Sequence, residues 1–209
     1  MSWARIALLV AWPLVAHAAA ATGSGWLAAL AVLDIVLVVL LQALARPKAW
    51  AWIVLTLSLA GLSWLARSPY ALVPLQLAPP AFVAAAGWIF ARTLAAGRIP
   101  LVGRIAAAID GPPWAEMEPE VRRYTRRVTW GWALLLFALA TADLGMALLA
   151  TPLQWSWFAN IGDYVVIGAF MLGEFVYRQW RFPGRSKGLA GFARGLASLG
   201  PSFWREALR

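Results

Sequence analysis

The sequence predicts an all-α, polytopic membrane helix bundle of about six transmembrane helices, with both termini on the cytoplasmic side. Three observations carry that reading. The 209-residue chain is 62% hydrophobic and 13% charged, with apolar runs that approach or exceed eighteen residues, the length that crosses a bilayer. Threading those runs alternately across a membrane puts seventeen of the eighteen Lys and Arg residues on one side and leaves Arg67 alone on the other, which orients the chain by the positive-inside rule. Tryptophan gives an independent check. Trp26, Trp64, Trp155 and Trp157 fall at outer ends, and Trp3, Trp50, Trp52, Trp130, Trp132 and Trp180 at inner ends. Indole has an apolar body and one N–H donor, so it settles at head-group level.

In chain order the spans cover 3–22, 26–45, 49–66, 70–94, 129–150 and 155–178, within one membrane domain over 1–209. Breakers separate them: "TGSG" after the first, "RPK" after the second, "RSP" after the third and "TP" between the last two. The first span carries a second reading. Ala16-His17-Ala18 has the A-x-A pattern of a signal-peptide cleavage site. Cleavage there would leave five spans in unchanged orientation, whereas an apolar stretch that continues past the site favours a retained helix.

Ionisable groups in hydrocarbon are costly and need partners or water. His17, Asp34, Asp143, Asp163 and Glu174 lie within spans. At the helical rise, His17 lies about 6 Å below the outer face and the three aspartates about 10–12 Å below it. Four residues from four helices thus share a layer, which Asn160, one turn from Asp163, is placed to join. The fourth span carries Pro74, Pro79 and Pro80. A helix restarting at Pro79–Pro80 would aim its positive N-terminus at the acidic layer, the broken-helix pattern of transporter sites. The alternative is structural, with the aspartates bonding neighbouring helices. Glu174 precedes Arg178 by four residues, so it is expected to form a local ion pair, with Arg126 or Arg127 as competitors.

On the cytoplasmic face, the 95–128 loop holds Leu101, Val102, Ile105 and Ile109 as the stripe of an interfacial helix. Pro119 then opens a helical segment bearing Arg122, Arg123, Arg126 and Arg127. The 179–209 tail repeats the theme. Leu189, Phe192, Leu196 and Leu199 are apolar, Lys187 and Arg194 face the head groups, and Phe203, Trp204 and Leu208 follow Pro201. Anionic inner-leaflet lipid would attract these cations by about 1 kcal/mol each. Topology accounts for every basic cluster, so nucleic acid is not an expected partner.

Three stretches resemble a family of small bacterial integral membrane proteins encoded with aryl polyene and xanthomonadin-type pigment biosynthesis genes. They are "TLAAGRIPLVGRIA" (93–106), "PEVRRYTRRVTWGWALLLF" (119–137) and "WSWFANIGDYVVIGAFMLGEFVYRQWRFP" (155–183). The resemblance covers about a third of the chain. It implies a pathway rather than a reaction: an aryl chain built on acyl carrier proteins and delivered to an envelope lipid. Members are sometimes labelled ketosynthase. The absence of cysteine here contradicts that label, because such condensing chemistry needs a thiol nucleophile.

These readings lead to an inner-membrane accessory protein. Its basic face would engage anionic lipid, an acyl carrier protein or pathway enzymes, without a cofactor. One histidine and no cysteine leave no multi-histidine or thiolate metal site. A lipid or acyl transferase is the enzymatic alternative. No H-x4-D pair, paired-aspartate motif or P-loop occurs, so its acid/base set would be His17, Asp34, Asp143 and Asp163. A transporter or flippase of an aryl-lipid intermediate is the third reading. Six spans without an evident inverted repeat would then require a homodimer.

Overall fold

The computed structural model describes residues 3–46, 48–109, 111–183, 188–200 and 203–204. These residues are helical, without a strand: α1 (Trp3–Thr22), α2 (Gly25–Leu44), α3 (Ala49–Leu65), α4 (Val73–Arg92), α5 (Leu101–Ile109), α6 (Pro119–Leu149), α7 (Pro152–Trp157), α8 (Asp163–Arg181) and α9 (Leu189–Ser198). A 3-10 turn (Trp114–Glu116) precedes α6, and a π-helical turn (Phe158–Gly162) joins α7 to α8. Among the described residues, five helical runs are long and apolar enough to cross a membrane: Arg5–Thr22, Gly25–Leu44, Val73–Arg92, Pro119–Leu149 and Pro152–Arg181. The seventeen-residue α3 is the shorter sixth apolar helix. The chain is an all-α helical membrane protein.

Two compact units divide the chain, and the boundaries fall inside α4, α6 and α8. The first comprises Met1–Ala81 and Thr141–Tyr164. Its core is built from alanine: Ala16, Ala19 and Ala20 of α1 meet Ala28 and Ala31 of α2, with Leu75 and Trp155 filling the space beside them. Small side chains let helix backbones approach closely, which is how packing holds helices together in lipid. The α1–α2 turn uses Gly23 at φ +67°, a left-handed conformation that glycine adopts without penalty. Ser24 caps α2 by accepting the Leu27 N–H at 3.4 Å. Gly25 is required for packing, since a Cβ there would collide with the Ala66 carbonyl oxygen and come 2.9 Å from the Ala71 Cβ. At α7, Thr151 and Gln154 form a reciprocal capping box behind Pro152.

Two expectations need correction in this unit. Helix α4 runs unbroken through Pro79 and Pro80, so no helix N-terminus opens there. Each proline removes a donor, at a cost of ~3 kcal/mol in a helix interior. A break would strand further N–H and C=O groups in hydrocarbon at several kcal/mol each. Continuation is the cheaper solution, and both proline rings are buried. Trp155 is not an interfacial residue either. It is fully buried in the alanine core, while Trp26, Trp64 and Trp157 are exposed as expected. Arg67, the lone outer cation of the sequence reading, stacks over the Trp26 ring at 5.3 Å.

The second unit comprises Phe82–Ala140 and Val165–Arg209. Helix α6 is a single helix of thirty-one residues, in which the helical segment opened by Pro119 continues into the span expected over 129–150. At the helical rise it is about 46 Å long against a hydrocarbon core of about 30 Å. Its first turns therefore carry the arginines beyond the apolar segment. Along α6, Thr125, Thr129, Ala133, Leu136, Ala140 and Asp143 are buried at intervals of three or four residues, the signature of one helix face. Trp132 packs edge-on to Phe170, with ring centroids 4.8 Å apart. Helices α5 and α9 meet each other: a Cβ on Gly195 would strike Ile109. Arg185, Lys187, Pro201, Arg205, Leu208 and Arg209, and the side chains of Leu189 and Phe192, lie outside the described residues.

Candidate functional site

The intramembrane polar residues sort into smaller groups than their shared depth implies. Ser156, fully buried on α7, shares a hydrogen bond of 3.1 Å with His17 Nδ1, the donor depending on the imidazole tautomer. The His17 ring also meets Trp157 edge-on at 5.3 Å. Asn160 Nδ2 donates to the Ser156 carbonyl at 2.9 Å and to Ser156 Oγ at 3.0 Å. Asn160, placed by its spacing to join the polar layer, meets it through Ser156 on the His17 side. Ser156 is the residue the sequence reading missed. A serine has low cost almost anywhere on a membrane helix, so nothing in its type or position marked it.

Asp143 and Asp163 form the second group. Asp143 is fully buried and Asp163 nearly so, and the two carboxyl groups lie within hydrogen-bonding reach of each other. No donor among the described residues reaches either oxygen of Asp143 or Oδ1 of Asp163. An ionised carboxylate only accepts, so their contact is a hydrogen bond only while one proton is held between them. The π turn immediately before Asp163, closed by the Asp163 N–H on the Phe158 carbonyl, gives this stretch a distinct register, as π turns near functional sites do. Asp34 is buried on α2 with Oδ2 unpartnered among the described residues. No three His, Asp or Glu side chains among the described residues converge on a metal-sized point.

This pairing sets a test. Asp143→Asn keeps a donor for Asp163 and should leave thermal stability in detergent nearly unchanged. Asp143→Leu strands Asp163 and should cost about 1–3 kcal/mol. Equal melting temperatures for the two variants would show that the carboxyl contact contributes nothing.

At the basic end, threonines and an arginine organise the backbone. Thr93 Oγ1 accepts the Leu101 N–H at 3.0 Å, and Thr129 Oγ1 accepts the Val102 N–H at 3.3 Å. Two orphan donors at the start of α5 are thereby satisfied. Arg126 Nη2 donates to the Leu94 carbonyl at 2.7 Å, just beyond α4, where a cation also suits the helix dipole. The 94–100 turn passes through Gly97 at φ +76°. Arg126 is thus committed to Leu94 and does not compete for Glu174.

Glu174 pairs with Arg178 as the spacing predicts, at 3.5 Å, and gains a partner that spacing did not suggest. Tyr124 donates its hydroxyl to Glu174 Oε1 at 2.9 Å. Its ring stacks on Tyr177 at 6.1 Å and meets Phe182 edge-on at 5.2 Å. A second ion pair joins Arg181 to Glu120. Of the four expected basic-site residues, Arg123, Arg126 and Arg127 are exposed, while Arg122 is half-buried. Beside this cluster lies a cavity of about 420 Å³, walled by α5, the 111–118 connection, α6 and the end of α8.

The fold and these two polar regions define a helical membrane protein with a buried carboxyl pair and an arginine-bearing helical extension. No protein-family model, curated protein or solved structure matches the chain.

Proposed function

We propose that this chain is an accessory protein of a bacterial inner membrane, serving an aryl polyene or xanthomonadin-type lipid pigment pathway. Its basic cytoplasmic face engages anionic lipid or an acyl carrier protein. The observation that carries the binding role is the exposure of Arg123, Arg126 and Arg127 on a helical extension longer than a bilayer crossing needs. A rigid rod presents these cations at low entropic cost, and an anionic surface is their natural complement. The pathway assignment rests on the sequence resemblance over 93–106, 119–137 and 155–183.

A second reading, a transporter or flippase of an aryl-lipid intermediate, draws its support from the buried Asp143–Asp163 pair, since intramembrane carboxyls mark ion and substrate pathways. It has lost the broken fourth helix that also favoured it.

Lipid and pigment profiles of a deletion strain separate these readings. The accessory role predicts accumulation of carrier-bound intermediate. Finished product on the wrong side of the membrane would favour transport, and an unchanged profile would remove the protein from the pathway.

A further inference from the structure

The buried carboxyl pair carries a charge that its surroundings do not offset. Asp143 on α6 and Asp163 at the start of α8 belong to one compact unit, and each lies in a helical run able to cross the membrane. Asp143 is one helical turn from Ala147, which packs on the alanine core, and Asp163 is one turn from Ala159 within that core. Apolar packing therefore closes one side of the pair. Asp143 is 0% exposed, and neither of its oxygens meets a hydrogen-bond donor among the described residues. The same holds for Oδ1 of Asp163.

Two ionised carboxylates in hydrocarbon need a neutralising charge, from a cationic side chain, a metal ion or a proton. The unit offers no cationic side chain: each carboxyl is the charged neighbour of the other. Around them, His17 of α1 is bonded to Ser156 and Arg5 stands at the far end of that helix. Asp34 of α2 is itself an acid, Tyr164 is exposed, and Arg67 lies over Trp26. Helix α3, the 73–81 part of α4, α7 and the π turn contain no ionisable residue. A divalent ion takes about six to eight oxygen ligands. Two carboxyls supply fewer, and no third His, Asp or Glu side chain among the described residues converges with them. A proton asks for only one oxygen from each, the O–H of one carboxyl donating to the other. Asp163 retains 4% exposure where Asp143 has none, so exchange runs through Asp163. We propose that Asp143 and Asp163 form a proton-binding site within the membrane, holding an exchangeable proton between the two carboxyls. The site requires neither the pigment pathway nor the basic face, and it is tested apart from them.

Infrared spectra of the full chain in phosphatidylcholine nanodiscs, with isotope-labelled aspartate to mark the bands, read this proton directly. An un-ionised carboxyl has a carbonyl stretch that a carboxylate lacks. At about pH 7, well above the ~3.9 of a solvated aspartate, the unaltered chain should show that stretch from aspartate. Heavy water should shift it, and replacing choline with sodium in the buffer should leave it unchanged. The double variant Asp143→Asn, Asp163→Asn should lose most of the band, with Asp34 accounting for any remainder. Absence of the band from the unaltered chain would overturn the proposal without relying on any variant to fold. A band that survives whole in the double variant, that heavy water does not shift, or that sodium abolishes would overturn it too.

Discussion

Trp155→Ala should destabilise the protein by about 3–5 kcal/mol, the largest single-residue effect expected in the chain. The indole is fully buried among Ala16, Ala19, Ala20, Ala28, Ala31 and Leu75. Alanines are too short to move into the space it would vacate, so the cavity would persist. The same residue yields a contrasting result. Its Nε1 has no hydrogen-bond partner among the described residues, and an unsatisfied buried donor costs about 1–3 kcal/mol. Trp155→Phe removes that donor while keeping most of the ring, so the lost area and the relieved donor nearly cancel. Thermal unfolding in detergent should show Trp155→Ala well below the parent and Trp155→Phe close to it. Equal losses would mean that the indole N–H, and not ring volume, holds the site.

Trp155 also illustrates what could be read from the sequence and what could not. Hydropathy and charge assign a residue a depth along the membrane normal, and Trp26, Trp64, Trp157 and Trp180, all assigned to head-group level, are exposed. Those signals do not say which side of a helix faces its neighbours. Trp155 and Trp157 are two residues apart, and one is buried while the other is not. A lipid-facing flank is as apolar as a packed one, so the periodicity that marks the core of a soluble helix is weak here.

The same limit governs the candidate site. Depth alone grouped His17, Asp34, Asp143 and Asp163, whereas packing pairs Asp143 with Asp163 and gives His17 to Ser156. Contacts within one helix were legible, as Glu174–Arg178 shows. Tyr124–Glu174 joins residues fifty positions apart, and no spacing rule reaches that far. Pro79 and Pro80 misled for another reason: their helix-breaking tendency is calibrated in water, where freed backbone groups can be solvated.

The second large effect concerns the basic face. Arg123, Arg126 and Arg127 stand exposed on the α6 extension. At about 1 kcal/mol per cation near an anionic surface, losing the three would weaken binding on the order of 100-fold. Reversal adds repulsion to that loss. Raising salt should weaken binding of the parent chain as well, because exposed charges are screened within about 8 Å at physiological ionic strength. Arg126 also holds the Leu94 carbonyl, so a parallel set of Arg→Gln substitutions separates lost charge from reversed charge. Reversed charges can redirect insertion, so orientation has to be verified before binding is scored.

The most direct measurement is therefore the affinity of a correctly inserted chain carrying glutamate at positions 122, 123, 126 and 127. Anionic vesicles and purified acyl carrier protein are offered to it separately. The account predicts that the parent chain binds at least one of them and that the reversed chain loses this binding by about 100-fold or more. Undiminished binding by the reversed chain, or no binding of either partner by the parent, would contradict it.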